Sequence, residues 1–458
     1  MDQQGIKGAA MTGNRYSRTK LWLVLVVTIV FSTAGAGFYH KLSADSDETY
    51  KGLKVFSDVI EIIQKNYVDP VEPKDLIEKA IQGMVSSLDP HSALLPPEAY
   101  EELRIDTEGK FTGIGIHVTM RDGFVTVVSP IEGTPAYKAG IKAKDKIVKV
   151  DGVVTSELRD AVKRMRGPKG TTVIITIVRE TVTEPIEFTL VRDVIPIESV
   201  KSVSLEPGYG YVRITNFREQ TTEDVTEALE KLESGDKPLK GLVLDLRDNP
   251  GGILSQAISV SDIFIEEGTI LTIKGRLEKH NNVFKAHASE SPRSYPIIIL
   301  INGGSASASE IVAGALKDHQ RALLLGTQTF GKGSVQTVES LRDGYGIKFT
   351  IARYYTPSGQ SIQATGVVPD IIVHKKDIDN TDAPNPVDGL LKEKDLQNHL
   401  ESKPLKDTTQ EVDRPENDLT EPNAMLLENI QNDHQVMRAL ELLISYEIFK
   451  DLSISNGK

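Results

Sequence analysis

Gly241-Leu-Val-Leu-Asp-Leu-Arg-Asp-Asn-Pro-Gly-Gly252 decides the fold class. Its opening is a near-continuous apolar run, as expected of a strand covered on both faces. Two glycines then close a turn, and the stretch from Leu254 to Ile265 has helical spacing. Consecutive glycines at a strand-to-helix turn let backbone N–H groups face a ligand, because no Cβ blocks the approach. The same turn is also what a tight bend with positive φ requires. Pro296-Ile-Ile-Ile-Leu-Ile301 repeats the pattern, followed by Asn302-Gly-Gly304 and a helical stretch from Ile311 to Lys317. Strands and helices alternate from about Val200 to Val373. The class is α/β, with function expected in the turns after the strands.

Outward from this block, 194–373, the chain changes character on both sides. Residues 107–193 are β-rich, with short strands at Phe111 to Val118, Phe124 to Val128, Lys146 to Val150, Thr172 to Val178 and Ile186 to Leu190. One short helix, Ser156 to Met165, lies among them. Residues 45–106 form a helical region. Tyr50 to Tyr67 carries Leu53, Phe56, Val59, Ile60 and Ile63 at helical spacing, and Pro73 to Leu88 ends before the Asp89-Pro90 break. On the other side, 374–423 is rich in charged residues, Pro and Asn, and reads as an acidic, disordered linker. The last segment, 424–458, holds a helix from Met425 to Phe449 with Leu426, Leu427, Ile430, Met437, Leu440, Leu443 and Ile444 on one face. That helix either docks back or joins two subunits, so a homo-oligomer through the terminal helices is one expected partner.

Residues 1–40 are a leader. Arg15, Arg18 and Lys20 precede the uncharged run from Leu21 to Phe38, an order that places the N-terminus in the cytosol. The run is long enough for a membrane anchor, yet its more apolar part is short and followed by Ala34-Gly35-Ala36, as in a cleaved signal peptide. On either reading the remainder works outside the cytosol, in the periplasm or on the outer face of the cytoplasmic membrane. A retained segment makes the membrane a partner.

Composition narrows the chemistry. The 458 residues carry a formal charge of −12, which argues against a nucleic-acid partner held by a general basic surface. Most of that excess sits beyond His374. No cysteine is present, which excludes disulfides, Cys-based zinc sites, iron–sulfur clusters and a cysteine nucleophile. No G-x-S-x-G or H-E-x-x-H occurs, and Asp245 with Asp248 lacks a third ligand; no metal and no cofactor are expected. Those two aspartates shape the turn, with Arg247 as ion-pair partner. His91 is read as structural.

Phe111-Thr-Gly-Ile-Gly-Ile116 offers an anion nest at Gly113, Ile114, Gly115 and Ile116, fit for a peptide carboxylate. Arg166, after the short helix, is the candidate for supplying the full charge; the alternative is a solvated turn of Arg164, Arg166 and Lys169. Asn302-Gly-Gly-Ser-Ala-Ser-Ala-Ser-Glu310 has two readings. Ser307 to Glu310 fits a Ser-x-x-Glu capping box, and a capping hydroxyl cannot also attack a carbonyl. The other reading is a nucleophile at a helix N-terminus. Lys332, between Gly331 and Gly333, is a candidate base if its amine is buried and neutral, with Gln336 to orient it.

Residues 111–193, with Thr134-Pro-Ala-Tyr-Lys-Ala-Gly-Ile141 and Asp145-Lys-Ile-Val-Lys-Val-Asp-Gly152, resemble a PDZ domain. Ser-Ala-Ser-Ala-Ser-Glu310, Lys332 and Gln336, together with Asp89-Pro-His-Ser92 and the glycine turn, resemble the carboxyl-terminal processing peptidases, tail-specific serine proteases with an inserted PDZ domain. The resemblance spans about residues 50–373. It implies a crotonase-like serine protease core with an inserted PDZ domain and flanking helices. Ser307 would be the nucleophile, Lys332 the general base and Gln336 its orienter. The oxyanion would be held by the N–H of Ala308 and of Gly251 or Gly252. The expected substrate is a protein or peptide with a free C-terminus. The rival expectation is a membrane-tethered PDZ adaptor that binds without catalysis.

Overall fold

The computed structural model describes residues 48–235, 237–375, 392–401, 430 and 432–455. The leader, 1–40, lies outside the described residues. Among the described residues no helix is long and apolar enough to cross a membrane.

The chain divides into two units, 1–83 and 84–458. The first holds helix α1 over residues 48–66 and most of α2 (Pro73–Ser86). Leu53, Phe56 and Val59 on α1 are exposed.

The second unit opens with strand β1 (Ala93–Leu95) and helix α3 (Pro97–Glu108), which ends on Gly109 in the left-handed region. Then comes the inserted β-rich domain: β2 (Lys110–Gly113), β3 (Ile116–Arg121), β4 (Phe124–Pro130), α4 (Pro135–Ala139), β5 (Lys146–Val150), β6 (Val153–Val154), α5 (Leu158–Met165), β7 (Thr172–Val178), β8 (Ile186–Val191) and β9 (Asp193–Pro196). Antiparallel pairing runs β3-β4-β5-β7-β8, with β6 on β5. Val125, Val127, Ile147, Val173, Ile175 and Ile177 meet Ala161 and Met165 of α5 in a core of its own. Instead of one strand from Phe111 to Val118, the chain breaks at Gly115 (φ 78), where Ala136 N–H donates to the Ile114 carbonyl. The first half, β2, pairs with β9, so both ends of the insertion leave the domain side by side.

The third region contains β10 (Val200–Glu206), β11 (Tyr209–Ile214), α6 (Thr221–Glu233), β12 (Gly241–Asp245), α7 (Leu254–Asp262), β13 (Thr269–Gly275), β14 (Asn282–Lys285), β15 (Ile297–Ile301), α8 (Ala308–Asp318), β16 (Ala322–Gly326), β17 (Ser334–Ser340), β18 (Gly346–Tyr355) and β19 (Ile371–Ile372). Six strands form one sheet in the order β10-β11-β12-β15-β16-β19, parallel from β11 onward. A second, antiparallel sheet runs β1-β18-β13-β14, with β17 on β18. Every residue of β12 and β15 is buried, as their apolar runs require. Leu242, Leu244, Ile297 and Ile299 meet α6, α7 and α8 on one face; Val243, Ile298 and Leu300 meet a terminal helix on the other. Each such side chain removed from water contributes roughly 1.5–3 kcal/mol.

That terminal helix, α9 (His434–Ser455), docks back, with Val436, Ala439, Leu440 and Leu443 on the sheet. Asp433, just before it, caps it, accepting from the N–H groups of Gln435 and Val436, and Ile430 and Asn432 ahead of that break are also helical. Residues 402–429 lie outside the described residues. Within the segment expected to be a disordered linker, 392–401 is instead packed: Lys392 and Glu393 are buried beside a 3-10 turn, Glu393–Asp395. Composition counts charges but not the buried partners that satisfy them.

Candidate active site

Three turns meet at the C-terminal ends of β12, β15 and β16, where a parallel sheet places its chemistry. Two of the alternating serines fasten these turns. Ser305 donates through Oγ to the Leu246 carbonyl at 2.7 Å, and Ser309 donates to the Asn249 carbonyl at 2.9 Å. Asn249, fully buried, donates to the Ile214 carbonyl and accepts from Gly251 N–H at 2.9 Å. Asp245 is also buried, yet Arg247 and Arg213 overcome the cost of burial and hold its carboxyl down at about 2. Arg247 in turn reaches Asp433 and Gln435, the start of α9. This is the turn-shaping role expected of Asp245 and Arg247.

The middle serine is different. Ser307 has φ 52 and ψ −111, a backbone conformation that non-glycine residues rarely adopt and that costs on the order of 1–3 kcal/mol. Glu310 forms only its own half of the capping box, accepting from Ser307 N–H at 2.8 Å. The Glu310 N–H donates to the Ser307 backbone carbonyl at 2.9 Å, so the serine hydroxyl makes no cap bond. The same fully buried carboxylate accepts from Thr329 Oγ1 at 2.5 Å, Gly331 N–H at 2.7 Å and Lys332 N–H at 2.9 Å. Glu310 therefore ties the backbones of Ser307 and Lys332 to one group. Burial pushes its carboxyl up to about 7, against the pull of those donors.

Burial, with the nearby Lys348 cation, holds the Lys332 amine down at about 8; Glu393, Glu310 and Asp89 act in the opposite direction. The Tyr354 hydroxyl donates to the Lys332 carbonyl and lies by the Ser307 side chain. Gln336, expected to orient the amine, donates through Nε2 to Ser334 Oγ at 2.9 Å and Thr350 Oγ1 at 3.3 Å. The cause is local: a bulge between Val335 and Gln336 sets Gln336 opposite Thr350 in the β17–β18 ladder.

Gly251 (φ 103) lies so close to the serine that an added Cβ would fall 2.8 Å from Ser307 Cβ and 2.9 Å from Ala308 N. Its own N–H is taken by Asn249. The N–H groups of Gly252 and of Ala308, at the first turn of α8, have no protein acceptor among the described residues.

In the inserted domain, the N–H groups of Ile114 and Gly115 likewise have no acceptor among the described residues, while their carbonyls bind Ala136 and Ile131 N–H. Arg166 stacks on Phe111, its guanidinium carbon 5.0 Å from the ring centre, and its buried Nε has no partner among the described residues. Gly113, at the end of β2, pairs with Asp193, and Ile116 opens β3.

Comparison with known proteins agrees with this layout. Residues 208–373 match peptidase family S41, 112–190 match the PDZ domain, and 30–98 match the N-terminal domain of the activating protease CtpB. A carboxy-terminal-processing protease of Bartonella bacilliformis is 48% identical over 336 residues, covering 72% of this chain and 77% of that one. The chain belongs to the carboxy-terminal processing proteases of peptidase family S41. The carboxy-terminal processing protease CtpA of Bacillus subtilis is 36% identical over 77% of this chain and 76% of its own. Among solved structures, a photosystem II D1 C-terminal processing protease is 31% identical, covering 70% of this chain and 92% of that one, with a TM-score of 0.41. The protein is a serine-type peptidase carrying a PDZ domain.

Several residues of this protease escaped sequence reasoning. Glu310 was legible only as a cap, although the same Ser-x-x-Glu spacing places its carboxylate at the heart of the site. Asn249 and Tyr354 had no signal beyond their neighbourhood. Arg192, whose guanidinium donates to the carbonyls of Arg164, Met165 and Thr172, fixes the loop that bears Arg166.

Proposed function

We propose that this protease hydrolyses peptide bonds near the C-termini of protein substrates through a Ser307–Lys332 dyad and an acyl-enzyme. One observation carries the reading: a single buried carboxylate, Glu310, holds both backbones, while the serine hydroxyl is kept off the helix and the lysine amine is buried. The neutral amine accepts the Ser307 proton as Oγ attacks the carbonyl carbon. The protonated amine then donates to the leaving nitrogen. Water, deprotonated by the same amine, releases the acyl group. Oxyanion charge falls on the N–H of Ala308 and of Gly252, since Gly251 N–H already serves Asn249. Gln336 contributes by fixing the strand that follows the lysine loop. The PDZ domain recruits the tail through Ile114 and Gly115 N–H, with Arg166 supplying charge. The basic-then-apolar leader supports work outside the cytosol.

The test is mass spectrometry of a protein with an unstructured C-terminal tail after incubation with the wild type, Ser307→Ala and Lys332→Arg. Loss of tail fragments from the wild type only is the expected outcome, since arginine cannot serve as base. Turnover by Lys332→Arg near the wild-type level would remove Lys332 as the base and with it the dyad.

A further inference from the structure

The Asp89-Pro-His-Ser92 turn and the segment 392–401 meet beside the lysine loop. We propose that Glu393, held by His91 and Gln363, is a positioning residue for Lys332: from a segment remote in sequence, it grips the loop that carries the lysine. The role rests on the dyad reading above.

The Glu393 side chain is wholly buried. Its Oε2 accepts from His91 Nε2 at 2.5 Å and its Oε1 from Gln363 Nε2 at 2.8 Å. The same Gln363 accepts, through Oε1, from Gly333 N–H at 2.9 Å, one residue past the lysine. Before the lysine, Glu393 N–H donates to the Phe330 carbonyl at 3.3 Å, and Lys392 Nζ donates to Gln328 Oε1 at 2.6 Å. The loop is thus held on both sides of Lys332 by a segment remote in sequence. His91 is fixed in turn: its N–H donates to Asp89 Oδ1 at 2.9 Å, and Ser92 Oγ donates to Asp89 Oδ2 at 2.8 Å. The charges that act on the amine come from four elements: Glu393 on the 3-10 turn, Asp89 on the preceding turn, Glu310 on α8 and Lys348 on β18. Burying a carboxylate costs several kcal/mol unless it is partnered. A neutral glutamine could make similar bonds, so the bonds alone do not explain a charge at this position. A charge that acts on the base does.

The experiment follows acylation of Ser307 by a fluorophosphonate probe across pH in the full chain, by intact mass, with thermal unfolding alongside. Glu393→Gln removes the charge but keeps the shape, so the acid limb is expected to move to lower pH by roughly half a unit or more. Gln363→Leu cuts the link to Gly333 and lowers the plateau rate at least several-fold. General loosening lowers the plateau and the unfolding temperature but does not carry the limb to lower pH. An unmoved limb in Glu393→Gln, or a wild-type plateau in Gln363→Leu, overturns the role while leaving the dyad intact. No acylation of the wild type at any pH, or wild-type acylation by Lys332→Arg, overturns the dyad and this role with it.

Discussion

At Lys332 and Glu310, two buried groups that are ordinarily far apart in proton affinity titrate close together, at about 8 and about 7. On the proposed dyad both must be deprotonated for the reaction: the lysine to accept a proton, Glu310 because each of its four bonds is made as an acceptor. Log kcat/KM is therefore expected to rise with pH below neutrality with a slope approaching two, where a single base gives one. A slope of one across that range would leave Glu310 outside the titration. Stability moves in a linked way. A lysine whose folded-state pKa is depressed costs the native state free energy below that pKa, and the cost fades as pH rises from about 8 toward its ordinary value. Lys332→Met should thus be inactive yet more stable than the wild type at pH 7, by about 1–3 kcal/mol, with the gain vanishing near pH 10.5. Urea unfolding at the two pH values measures it. Equal gains at both would mean that the methionine acts through packing and not through the removed charge.

At the scale of elements, the strand–turn–helix units were legible because burial on both faces forces apolar runs, and the glycine pair marks the turn between. The inserted domain was legible for the same kind of reason, alternating strands around one short helix. Long-range pairing was not. Nothing local in Gln336 says that a bulge will turn its amide toward Ser334 and Thr350, and nothing in Lys392-Glu393 says that His91, some three hundred residues earlier, will meet it. Ser307 shows the boundary most clearly: the capping spacing is real, but a positive φ at the serine diverts the hydroxyl from the helix, and φ cannot be read from residue types. The turn from β12 to α7 carries a direct prediction. Gly251→Ala puts a methyl group 2.8 Å from the Ala306 carbonyl oxygen and from Ser307 Cβ, at a φ of 103 that alanine resists. The turn and the serine must move apart. A displacement near 1 Å costs about a hundredfold in turnover, so kcat should fall at least that far while a tail peptide still binds the PDZ domain normally. Wild-type kcat in this variant would show that the close approach of Gly251 to Ser307 is incidental.

At the scale of the whole second unit, the PDZ domain is tethered through the β2–β9 pair. Phe111, the ring under Arg166, lies in that pair, opposite Ile195. The residue proposed to read the substrate's carboxylate therefore stacks on a strand that joins the domain to the rest of the unit. Arg166 Nε is buried without a partner among the described residues, and such a group is costly unless a ligand completes it. On the proposed recruitment a C-terminal carboxylate would do so with a charge-assisted bond, which contributes roughly 1.5–3 kcal/mol, or about ten- to a hundredfold in affinity. The expected outcome is a double cycle on kcat/KM with one unstructured peptide. Amidating its C-terminus and replacing Arg166 by Ala each lower hydrolysis by about that factor, and the two together cost little more than either alone. Because an alanine also removes the stacking on Phe111, Arg166→Met serves as the control: it keeps apolar contact with the ring but not the charge, and it should match Arg166→Ala. Losses that multiply would separate Arg166 from the carboxylate and leave it a packing residue against Phe111. Equal cleavage of free and amidated peptides would move tail specificity out of the PDZ domain and into the groove around Ser307.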